Sequence, residues 1–106
     1  MIVSTTNSVP NRDIAHSLGI VAGEAVLGAN VFRDLFAGIR DFVGGRAGGY
    51  QKVLRDGRNL ALDDMIAEAK AAGADAVIGV DIDYEAIGSN GSMLMVSVNG
   101  TAVKLR

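Results

Sequence analysis

Residues 73–85, Gly-Ala-Asp-Ala-Val-Ile-Gly-Val-Asp-Ile-Asp-Tyr-Glu, constrain the fold of this chain more than any other stretch. Ala76, Ile78, Val80, Ile82 and Tyr84 occupy one parity, and Gly79, Asp81, Asp83 and Glu85 the other. Alternation with period two is the pattern of a strand with one buried and one polar face. A long helical pattern runs up to Gly73, and glycine just past a helix is a common stop. The helix before this strand and the strand after it are both placed by it.

From the N-terminus, residues 2–6 read as a short β-branched strand broken by Asn7, Ser8, Pro10 and Asn11. Asn11 is expected to cap a short helical turn over residues 12–17, with Gly19 as its stop. Residues 20–27 form an apolar run whose length suits a strand or a buried helix; the flanking Gly19 and Gly28 and the Ile20-Val21 start favour a strand. Between residues 31 and 43, Val31, Phe32, Leu35, Phe36, Ile39, Phe42 and Val43 fall on one helical arc. Arg33, Asp34, Arg40 and Asp41 fall on the opposite one.

A glycine-rich turn at residues 44–49 leads to a second helix over residues 50–72. Its expected wet face is Lys52, Asp56, Asn59, Asp63 and Lys70. Its expected buried face is Val53, Leu54, Leu60, Ala61, Met65, Ala69 and Ala72. After the organising strand, Gly88-Ser-Asn-Gly91 signals a hairpin. The last strand, residues 92–105, is expected to carry a bulge at Asn99-Gly100. The order β-β-α-α-β-β predicts an α+β two-layer sandwich, a mainly antiparallel sheet covered by two helices, as one domain over residues 1–106.

Composition narrows the function. Hydrophobic residues make up 49% of the chain, too many for a small core alone, so a subunit interface is expected to hide the excess. The net charge of −2 and the lack of a Lys/Arg cluster argue against nucleic acid. With no cysteine, thiolate metal sites and cysteine nucleophiles are excluded. No stretch approaches the apolar length needed to span a bilayer. The start Met1-Ile-Val-Ser lacks a basic, apolar leader, so a cytoplasmic location is expected.

Candidate sites are few. Asp81, Asp83 and Glu85 share one strand face and could hold a hard cation, although a solvated sheet face explains them as well. His16 is the only histidine; without thiolates it makes a soft-metal site improbable even with help from Glu24. Gly44, Gly45 and Arg46 could form an anion nest or simply a helix-ending turn, and Arg33 and Arg40 could read an acidic ligand or face solvent. Gly57 and Ala61 form a small-residue stripe that permits close backbone approach. Arg58, Asp64 and Glu68 could place paired charges at an interface edge, or line a helix flank open to water. Met93 and Met95 suggest a soft pair only if they share a face with Met65. No nucleophile–base arrangement is visible, so no catalytic residue is named, the balance is against an enzyme, and the cofactor stays open.

Taken together, Thr5-Thr-Asn-Ser8, Gly19-Ile-Val-Ala-Gly-Glu24, Gly28-Ala-Asn-Val31, Arg33-Asp34, Gly44-Gly-Arg46, residues 73–79 and Gly100-Thr-Ala-Val103 give the chain a family likeness. It resembles the small YbjQ-like family, whose label is heavy-metal binding, over essentially its whole length. The resemblance implies an α+β subunit in a ring-shaped homopentamer. Three readings follow: a non-enzymatic ring binding a small ligand or ion at subunit junctions, a structural or partner-binding module, or an enzyme whose site is assembled between subunits.

Overall fold

The computed structural model describes residues 1–28, 48–88 and 93–106, with side chains from residue 51 in the helix onward. Its elements are β1 (Ile2–Val3), β2 (Ile14–Leu27), α1 (Gly48–Ala71), β3 (Ala76–Ile87) and β4 (Met93–Leu105). The strands form one sheet in the order β1-β3-β4-β2. β4 runs antiparallel to both β2 and β3, whereas β1 pairs parallel to β3 through Ile2 with Ala76 and Val3 with Val77. The protein is α+β, but the expected β-β-α-α-β-β layout with two helices is not matched. Among the described residues there is one helix, on a mixed four-stranded sheet. The helix expected at residues 31–43 lies outside the described residues.

The expected helical turn at residues 12–17 is strand instead. Asn11 takes a left-handed φ of 63°, and the Arg12 amide donates to the Val9 carbonyl, closing a tight turn. β2 then starts at Ile14. It accommodates the Ser17–Gly19 stretch through register shifts against β4 between Ile14 and His16 and between Ser17 and Gly19.

Gly73, with φ of 81°, ends the helix as its position predicts. Its amide donates to the Lys70 carbonyl and that of Ala74 to the Ala69 carbonyl, which satisfies two of the last turn's free acceptors. Asp75 then ties the helix exit to β4: its amide donates to Val103, and its carboxylate accepts the Leu105 amide at 2.9 Å.

The simple alternation of β3 breaks at Gly79. Its φ is 59°, and the pairing with β4 shifts between Ile78 and Asp81. The bulge lies here, not at Asn99-Gly100. Val77, Val80 and Ile82 therefore pack on the helix side, while Ala76 and Ile78 pack on the other face with Val9 and Val103. The Thr6 and Ser4 carbonyls accept the amides of Gly79 and Val80, so the N-terminal segment holds the bulge in place.

The main core lies between α1 and β2, β4 and β3. Ala61, Met65 and Ala69 are fully buried on one helix stripe, and Gly57 belongs to the same stripe. Opposite them, a methyl group on Gly23 would overlap the Ala61 carbonyl oxygen and stand 2.5 Å from the Met65 nitrogen. Helix backbone and strand backbone are in direct contact there, and neither is free to yield. Leu60, expected in the core, is 55% exposed. It shares a helix flank with Asp64, one turn on, and that flank overhangs the edge of β2 rather than the sheet. We expect Gly23→Ala to destabilise the fold by about 1–3 kcal/mol, measured by urea denaturation; an unchanged midpoint would contradict the close contact.

Candidate functional site

Directly paired residues on antiparallel strands share a face. The β2, β4 and β3 registers therefore set three rows across the sheet face away from α1. Glu24, Ser97 and Asp83 form one row, Ala22, Asn99 and Asp81 the next, and Val26, Met95 and Glu85 the third. The bulge at Gly79 puts Asp81, Asp83 and Glu85 on this face, and the pairing of β2 with β4 adds Glu24 from the opposite side. Four exposed carboxylates thus surround Ser97 and Asn99.

The Asp83 carboxyl is pushed up from its ordinary value. A side-chain hydrogen bond that the protonated Asp83 carboxyl donates to Asp81 is the main cause, followed by repulsion from the Asp81 charge and desolvation. Two like charges on adjacent face positions favour keeping one proton between them. The ion pairs among the described residues, Lys52 with Asp56 and Lys104 with Asp75, lie elsewhere. Among the described residues no group of three or more His, Cys, Asp or Glu is arranged to hold a metal ion. The face carries negative charge, but its described residues do not enclose a cation.

The other sequence candidates separate. His16 is exposed and pairs with Lys104 at the far end of β2. At roughly 3.3 Å per residue it stands about 25 Å along the strand from Glu24, so the two share no site. Met93 and Met95 sit half-buried on the carboxylate face, whereas Met65 is fully buried in the core on the opposite side, so they do not share a face. Arg33, Arg40, Gly44, Gly45 and Arg46 lie outside the described residues.

Gly57 and Ala61 turn toward the chain's own sheet: a methyl on Gly57 would meet Val96 at 3.0 Å and Leu27 at 3.1 Å. Asp64 and Glu68 reach past the sheet edge. The Asp64 carboxylate accepts the Glu24 amide at 3.1 Å and that of Glu68 accepts the Ala22 amide at 3.3 Å. Arg58 is half-buried and forms no ion pair among the described residues. Sequence reasoning missed both the Glu24–Ser97–Asp83 row and this capping of a strand edge. The only sequence signal for the capping was two carboxylates, four residues apart, close to the apolar arc.

The family model described as "Putative heavy-metal-binding" (YbjQ_1) matches residues 1–106, and the chain belongs to that family. A solved structure, a protein of unknown function of the DUF74 family from Pediococcus pentosaceus, superposes with a TM-score of 0.67. Its sequence identity is 16%, and the match covers 100% of this chain and 98% of that one. The likeness shows a shared fold. No described helix is long and apolar enough to cross a membrane.

The Asp81–Asp83 pair gives a pH prediction. A raised folded-state pKa means the native chain binds the proton more tightly than the unfolded one. Repulsion therefore begins to cost stability as pH rises past the ordinary value of 3.8, and is fully present above the raised value. Asp83→Asn should stabilise the protein near pH 7, and the gain should vanish below pH 3.8. Thermal melts of both proteins across this range check it; equal melting temperatures at pH 7 would contradict it.

Proposed function

We propose that this chain assembles into a closed homo-oligomer in the cytoplasm and binds a hard cation weakly at its subunit junctions, without catalysis. The family resemblance implies five subunits. The observation that carries the reading is the carboxylate face: Asp81 and Asp83 stand together on one strand face, close enough that Asp81 pushes the Asp83 pKa up, with Glu85 and Glu24 at their flanks. Oxygen ligands of this kind suit Ca²⁺ or Mg²⁺. They do not fit a soft heavy metal, because the chain has no cysteine and its single histidine stands apart from the carboxylates. Among the described residues one subunit does not group enough ligands to hold a metal ion; in this reading a second subunit completes the set.

A ligand that binds only the native state raises the melting temperature by mass action. Millimolar Ca²⁺ or Mg²⁺ should raise it in wild type and not in an Asp81→Asn/Asp83→Asn double variant. Calorimetry on tag-free protein should show no sub-micromolar zinc affinity. A flat response to both hard cations, or tight zinc binding lost in His16→Ala, would overturn the reading.

A further inference from the structure

The side of the sheet on which the β3 carboxylates stand is decided at one point of the chain. Before it, Ala76 and Ile78 pair with Val103 and Thr101 and pack on the face away from α1. After it, Asp81, Asp83 and Glu85 occupy that same face, opposite Asn99, Ser97 and Met95. Without the extra residue of the bulge, Val80, Ile82 and Tyr84 would continue the row of Ala76 and Ile78, and the carboxylates would turn to the helix side.

The bulge is gripped from two sides. On the β4 side stands Gly100. A methyl group there would lie 2.6 Å from Val77 Cγ1 and 3.1 Å from both the Ile78 carbonyl oxygen and Val80 Cγ2, so no side chain fits opposite the bulge. On the other side the N-terminal strap, residues 4–9, supplies the bonds. The Gly79 amide donates to the Thr6 carbonyl at 2.8 Å and the Val80 amide to the Ser4 carbonyl at 3.0 Å, while the Ser4 amide donates to Val77 at 2.9 Å. Both amides of the bulge thus depend on the strap. One apolar side chain seats the strap itself. Val9 is 6% exposed and packs with Ala76, Ile78 and Val103 in a cluster separate from the main core, whereas Thr5, Thr6, Asn7 and Ser8 are exposed. A segment with so few buried contacts opens at far lower cost than the whole fold.

We propose that this strap is a coupling element: its docking and the binding of a hard cation at Asp81 and Asp83 favour each other through the Gly79–Val80 bulge, with Val9 as the positioning residue. The inference rests on the hard-cation reading and adds the element that regulates the site. When the strap lifts, the amides of Gly79 and Val80 lose their acceptors, and the strap no longer holds Gly79 at its φ of 59°. Asp81 follows two residues on, so its direction is no longer fixed. A cation that needs Asp81 and Asp83 side by side on the outer face binds the docked state and not the lifted one. By linkage each event then stabilises the other, and displacing the strap releases the cation.

Residue-resolved amide hydrogen exchange on the full chain tests it, with and without millimolar Ca²⁺ or Mg²⁺, whichever raises the melting temperature more. In wild type the cation should slow exchange at Gly79 and Val80 together, by about fivefold or more. Val9→Asn, which unseats the strap, should keep the wild-type circular dichroism and lose most of the cation's gain in melting temperature; Val9→Ile should retain it. A merely structural Val9 would lower the melting temperature and leave that gain intact. A cation that raises the melting temperature but leaves Gly79 and Val80 exchange unchanged, or an undiminished gain in folded Val9→Asn, overturns the coupling and leaves the cation reading standing. The wild-type exchange arm decides the matter even if Val9→Asn fails to fold. A wild type that responds to neither Ca²⁺ nor Mg²⁺ overturns both.

Discussion

The contact of the α1 backbone with Gly23 fixes the arrangement of the rest. The stripe Gly57, Ala61, Met65, Ala69 has small residues at three of its four positions, so the helix sits low on β2 and β4. Met65 supplies the one long side chain, fully buried. Because the helix sits low, Asp64 and Glu68 reach the amides of Glu24 and Ala22. A helix lifted by even one methyl would leave those carboxylates short of the strand and part of the core unfilled.

That placement divides the surface. The helix covers one face of β2 and β4, and the loop bearing Val9 covers the far face near Ala76, Ile78 and Val103. What is left is the carboxylate face and the two sheet edges. The carboxylates need not be neutralised for the subunit to fold, since all four are exposed. The repulsion from Asp81 that helps to raise the Asp83 pKa acts within this face.

Much of this was legible in the sequence. The helix at residues 50–72 and its stop at Gly73 follow from period and from glycine's left-handed freedom. The alternation in residues 92–105 survives intact in β4, with Leu94, Val96 and Val98 buried. What failed depended on contacts far apart in the chain. Polar Ser17 and the glycine at position 19 hid the first half of β2, which is held by pairing with residues 101–105 and not by its own propensity. The parallel partner of β1 cannot be read from periodicity, which carries no direction. By parity Gly79 reads as an ordinary outward position, yet its positive φ makes it the bulge that turns Asp81, Asp83 and Glu85 to the face they occupy. For the site, β3 gave its three carboxylates by parity, but Glu24 joined them only once the register through Ser97 was known.

The low helix and its two edge-capping carboxylates are tested most directly by amide hydrogen exchange on β2. Ala22 and Glu24 lie on an edge strand, and their amides bond helix carboxylates rather than a neighbouring strand. They should exchange far more slowly than unprotected amides, and should lose that protection selectively in Glu68→Ala or Asp64→Ala. Fast exchange at both positions before either carboxylate is removed would contradict the arrangement on which the rest of the structure depends.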